Sequence, residues 1–188
     1  MSQEQADGGA VIVTTGDAGV GAALVDALQE RGIDAAGVAT SAGDARGDLA
    51  ALFALATPGR SLRAVVHAHA DAASLAELPI ADLTDEQWMQ RCETPLLHAV
   101  HVFQAAFDVF GPLADGAVTR RLVAIVPNIA ILGAPRWVPA ATLAEGVRSL
   151  VRSTGRQWGQ HGITVNSVAV PPEILAIGAP SGRIQRSP

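Results

Sequence analysis

The stretch GAPRWVPAATLAEGVRSLVRSTGRQWGQHGITVNSVAV, residues 133–170, decides the fold. Pro139 suits the first turn of a helix, where its missing N–H costs nothing. Leu143, Val147 and Leu150 then recur at helical spacing, so the spacing predicts a helix from Pro139 to about Gly159. ITVNSVAV, 163–170, is β-branched, short and nearly uncharged, the pattern of a buried strand. A helix that feeds directly into such a strand is the second half of a parallel crossover unit.

Outward from this stretch the same alternation repeats. AVIVTT (10–15) reads as a buried strand, followed by Gly16, Gly19 and Gly21 and by a helical stretch that stops at Gly32. AAGVAT (35–40) is a weaker strand, DLAALFALA (48–56) a short helix and LRAVVHAHA (62–70) a third strand. Thr84 opens TDEQ, a capping-box pattern at the head of a long helix to about Phe110. RLVAIVP (121–127) is a fourth strand and 163–170 a fifth. Residues 1–9 are expected to be flexible and 171–188, rich in Pro and Gly, irregular. Residues 10–170 thus form one α/β domain. Its sheet is parallel and doubly wound, with about five to six strands and helices on both faces. The glycine turn after the first strand falls at the sheet's carboxyl edge, where such folds bind nucleotides.

Composition narrows the function classes. The 188 residues carry a net charge of −5 and a pI near 5.4, which disfavours nonspecific binding to nucleic acid or acidic membranes. No apolar run is long enough to span a bilayer, and the N-terminus lacks the charged flank and apolar core of a secretory signal. The single cysteine, Cys92, is expected to pack as a small apolar residue in a reducing cytoplasm. There is no tyrosine, and all 13 basic residues are arginine, so lysine is absent too.

With these residues in hand, the chain resembles the short-chain dehydrogenase/reductase family over roughly residues 10–170. VRSLVRSTGRQWGQHGITVNSVAV matches that family's helix leading into HGI.VN.VAPG, with VPP replacing the final PG. DEQWMQRCETPLLHAVHVFQAA (85–106) matches its long interface helix. The resemblance implies a Rossmann-like sheet that here lacks one edge strand, the substrate loop and the final strand. It also fixes the catalytic positions. The family's Tyr and Lys fall on Ala140 and Ala144, its Ser on Pro127 and its Asn on Pro95. A slip of three residues would offer Trp137 and Ala141, which is no better. That chemistry needs a phenol with a pKa lowered by a neighbouring ammonium. Arginine cannot stand in for it at neutral pH.

The resemblance implies a cofactor loop at Thr14, Gly16, Gly19 and Gly21, but Thr15 occupies the first glycine's place and Asp17 adds negative charge. Thr40 and Ser41 follow the second strand, where the family's ribose reader would be. The cofactor-lining NNAG is replaced by HAHA, 67–70. No cofactor is therefore expected, with NAD(P) the lesser reading. No metal is expected either, since His67, His69, His98 and His101 have no Cys or carboxylate in a ligand pattern with them. Arg148, Arg152 and Arg156 form a helical stripe, read as a solvated face, with an acidic partner surface as the alternative.

Three functional readings follow. The first is a non-catalytic scaffold, associating with itself or with an active homologue through the helices around 84–110 and 139–158. Its inner residues would be Leu97, Val100, Phe103, Leu143, Val147 and Leu150. The second is an enzyme of different chemistry, a cyclase, isomerase or dehydratase, using Asp17, His67, His69, Asn128 and Arg136. The third is an NAD(P)-dependent oxidoreductase by family membership alone, which the missing proton donor disfavours.

Overall fold

A computed structural model describes residues 10–15, 18–41, 43–59, 61–68, 74–111 and 119–175. The elements in chain order are β1 (Ala10–Thr15), α1 (Ala18–Gln29), β2 (Ala35–Ala39), α2 (Arg46–Ala56), β3 (Leu62–Ala68), α3 (Asp85–Trp88), α4 (Thr94–Phe110), β4 (Arg120–Pro127), α5 (Ile129–Leu132), α6 (Val138–Trp158), β5 (Ile163–Val170) and α7 (Pro172–Leu175). The five strands lie in the order β2-β1-β3-β4-β5, and every neighbouring pair is parallel. This is the Rossmann-like layout that the alternating pattern predicted.

Strand alternation divides the core. Val65, Leu122, Ala124, Val126 and Val165 point to one side. There they join Leu49 and Phe53 of α2, Val102 and Phe103 of α4, and Leu143, Val147 and Val151 of α6 in one large cluster. Ala64 and Val66 of β3 point the other way, to Val25 and Leu28 of α1. One face is thus covered by three helices; on the other, among the described residues, α1 packs over β1 and β2, and Leu175 of α7 joins Ile125 and Ala68. On that second side Val123 and Ile125 of β4 stay partly accessible and Val168 of β5 is exposed.

The segment 84–110 departs from the single kinked helix expected from its sequence. The capping box forms as predicted, with Gln87 N–H donating to Thr84 Oγ1 and Thr84 N–H to the Gln87 side chain. Met89–Glu93 then widens into one π turn, closed by the Thr94 N–H on the Met89 carbonyl, before α4 begins with Pro95 in its first turn. A proline inside an α-helix forfeits a bond and clashes one turn back. The π turn moves Pro95 to a helix start, where neither penalty applies. The expectation of an irregular tail also needs amendment. Pro172–Leu175 forms a helical turn, and Leu175 is buried with Val20 and Ala68. Residues 1–9 and 176–188 lie outside the described residues.

Candidate functional site: a closed cleft

The carboxyl edge of the sheet gathers the ends of β1, β3 and β4. Thr14 pairs with Val38 on one side and His67 on the other, so the end of β1 lies between the ends of β2 and β3. α1 begins at Ala18, which sets its N-terminus at this edge. Gly19 lies partly buried in its first turn, and Gly21 is buried. Gly16, Asp17 and His69 lie outside the described residues.

The four residues that the resemblance sets at the family's catalytic positions are all buried. Ala140 is 3% exposed and Ala144 1%. Pro95 and Pro127 are buried as well. Trp137 packs against Ala140, one of the four. Its indole is 7% exposed and packs with Ile129 and Ala140, backed by Leu75 and Ala134. Two loops are clasped over this plug. Leu78 N–H donates to the Arg136 carbonyl at 2.8 Å. Arg136 Nε lies 3.4 Å from Glu77 Oε2, and Arg91 Nη1 donates to the Ala76 carbonyl at 3.3 Å. Arg136 is held at φ 67°, unusual for a residue with a side chain. The plug was not foreseen from sequence. Its only signal was a tryptophan three residues before the position where a tyrosine belongs.

Of the polar groups suggested for a different chemistry, the described ones, His67, Asn128 and Arg136, sit in different settings. His67 is buried on β3, edge-on to the His98 ring at 5.7 Å. Arg136 is exposed and turned to Glu77. Asn128 is partly buried, and its N–H donates to the Val170 carbonyl at 2.8 Å, tying β4 to the end of β5. Among the described residues no three His, Cys, Asp or Glu side chains come close enough to share a metal. His98 is buried, and its Nε2 has no hydrogen-bond partner. Burial pushes its pKa below the ordinary value, with the Asp44 charge opposing and His101 reinforcing. His101 Nδ1 lies 3.2 Å from the Asp44 carbonyl. Burial likewise raises the Cys92 thiol.

The ribose end, after β2, fits a dinucleotide poorly. Thr40 is buried, and its hydroxyl has no partner. The Ser41 hydroxyl and N–H are both taken by the Asp44 carboxylate, at 2.9 and 2.7 Å. Arg46 is the one nearby cation that could read a 2′-phosphate, and the sequence reading passed over it. It is held in a two-pronged pair with Asp108, with Nε to Oδ2 at 2.6 Å. Among the described side chains at this end, Ser41 and Arg46 are engaged with carboxylates and the Thr40 hydroxyl is buried.

The interface helices are corrected in part. Phe103, Leu143 and Val147, expected to face a partner, are buried in the chain's own core. Val100 and Leu150 are partly buried, and Leu97 is 55% exposed. On the arginine stripe, Arg152 and Arg156 are exposed, and Arg148 pairs with Glu145 at 3.0 Å.

Comparison with known proteins places this geometry. The family profile described as enoyl-(acyl carrier protein) reductase matches residues 2–180. No curated protein sequence matches. Among solved structures, the apo short-chain oxidoreductase of Pseudomonas aeruginosa PAO1 with an atypical catalytic center is similar, with a TM-score of 0.71 and 18% identity over 87% of this chain and 70% of that one. The NADPH-bound structure of a short-chain oxidoreductase from the same organism, also described as having an atypical catalytic center, gives 0.67 and 20% over 87% and 71%. A Serratia marcescens short-chain dehydrogenase/reductase mutant gives 0.68 and 17% over 86% and 76%. The β2-β1-β3-β4-β5 sheet, the glycine turn at its carboxyl edge and a family match over nearly the whole length lead to one conclusion: the chain belongs to the short-chain dehydrogenase/reductase family.

Proposed function

We propose that this chain is a catalytically inactive member of its family that serves as a cytoplasmic, non-catalytic subunit. It would associate through its long helices with itself or with an active homologue. The observation that carries this reading is the burial of Ala140 and Ala144, with Trp137 packed against Ala140. At the place where the family moves a proton, this chain has two methyl groups and an indole. No tyrosine or lysine elsewhere could replace them. The surface left for a partner on the helices is the exposed Leu97, flanked by Val100, with Leu150 partly accessible on α6.

Two measurements test this. Incubation with reduced or oxidised nicotinamide cofactor and a panel of ketones and alcohols should leave the cofactor's absorbance unchanged. Turnover that is lost on Asn128→Ala or Arg136→Ala would overturn the inactive reading. Light scattering should show an oligomer or a complex with an active homologue, weakened by Leu97→Glu. A monomer that recruits no homologue would overturn the scaffold reading.

A further inference from the structure

β5 forms one edge of the sheet, and its pairing among the described residues is with β4 alone. Sheet edges are ordinarily protected by shortness, charge, proline or a bulge. β5 has none of these, since its eight residues, ITVNSVAV, carry no charge and no proline and pair with β4 without a register shift. The opposite edge, β2, is five residues long, and its Ala35 carbonyl already accepts from Gln29 Nε2. Thr164, Asn166, Ser167, Val168 and Ala169 are all exposed, Val168 by 47%. On the side away from α6, Val168 continues the partly accessible surface of Val123 and Ile125.

We infer that β5 pairs antiparallel with β5 of a second copy of this chain, making one ten-stranded sheet across a two-fold axis. A two-fold contact joins a patch to itself, so it must be self-complementary. An uncharged strand meets that condition along its length, and the ends complement each other. The amino end is basic, with Arg121 beside Thr164 and with His161 just before the strand; the carboxyl end carries Glu173. Antiparallel pairing brings the basic end of each copy to the acidic end of the other. Opposed residues in such a pair share a face, so an axis through a residue rather than between two keeps the open apolar side continuous, and Asn166 and Ser167 are the central residues of the strand. With the axis at Ser167, position 161 lies opposite position 173. This contact is separate from the helix association proposed above and stands or falls independently of it.

The test is disulfide trapping in the full chain. Cys92 is buried and does not interfere. Residues opposed on an antiparallel axis have Cα atoms about 4.5–5.5 Å apart, inside the range a disulfide spans. Asn166→Cys or Ser167→Cys should therefore yield a covalent dimer on mild oxidation, and adding Val168→Lys should suppress it by roughly tenfold or more. Leu97→Cys reports the helix surface in parallel. Coupling at 166 or 167 that Val168→Lys removes supports the strand pairing, whatever Leu97→Cys does. Coupling only at 97 overturns it and leaves the helix association standing. Coupling at none of the three, or coupling at 166 or 167 that survives Val168→Lys, overturns it as well. All four positions are exposed, and circular dichroism checks that each variant is folded.

Discussion

Burial at His98 sets how the fold answers to acid. The imidazole is folded away neutral, and burial lowers its pKa from the ordinary 6.5. A base of this kind binds its proton more readily in the unfolded chain. Stability is therefore full above about 6.5 and falls as the pH drops below it, by about 1.4 kcal/mol per unit until the folded-state pKa is reached. Urea midpoints at pH 7.5 and 5.5 should show this decline, and His98→Leu should flatten most of it. An unchanged slope in His98→Leu would assign the acid sensitivity to other groups. Asp108 acts in the same direction at lower pH, because its hydrogen bond to Arg46 holds its pKa below the usual value. The same scale governs what placing the family's two side chains in this chain would do. Ala140→Tyr with Ala144→Lys would force a phenol and an ammonium into filled space. We expect a loss of roughly 1–3 kcal/mol or more from overpacking and no recovered turnover, checked by thermal melts and cofactor absorbance. That the chain holds no tyrosine and no lysine was legible in the sequence. That their place is plugged was not, because a buried tryptophan and an exposed one look alike until the loops at 74–78 and 136 are in position.

At the scale of elements, α4 and α6 are held together by Trp158. Its ring lies 5.0 Å from Phe107 and 6.3 Å from Phe103, measured between centroids. Trp158→Ala should cost about 3–5 kcal/mol, measurable by chemical denaturation. Thr84→Ala removes one half of the capping box and should cost about 1 kcal/mol. The contrast between the two separates packing from capping as the source of stability in this half of the molecule. Along the same pair of helices, α6 approaches α4 at Gly146, where a methyl group would come within 3.0 Å of Leu96 Cδ1. The strands and the two long helices were legible because β-branched runs and 3.6-residue spacing are local signals. The π turn before Pro95 was not, since it answers a clash that depends on where α4 is fixed by its neighbours. Phe103, Leu143 and Val147 were placed on the wrong surface for a related reason. Spacing identifies the apolar stripe of a helix but not whether the stripe faces the chain's own sheet or another molecule.

Across the whole molecule, the two faces of the sheet are unequally covered, with α2, α4 and α6 on one side and α1 on the other. The chain has no tyrosine or lysine, and at the ribose end Ser41 and Arg46 are engaged with carboxylates, while Val168 and Leu97 stay exposed. Calorimetry with NAD(H) and NADP(H) should accordingly give a dissociation constant weaker than roughly 100 μM, against the micromolar range common for enzyme substrates. A tight saturable isotherm would point instead to a sensor that still reads the cofactor.

The tryptophan that fills the cleft also gives the protein an optical label. With no tyrosine in the chain, its near-ultraviolet emission comes from three indoles in three different settings. Trp88 is partly exposed at the head of the π turn, Trp158 lies among phenylalanines in the core and Trp137 is sealed under the clasped loops. If the clasp ever opens, for a ligand or a partner, water reaches Trp137 first. The emission should then shift to the red while the far-ultraviolet spectrum of the helices stays unchanged.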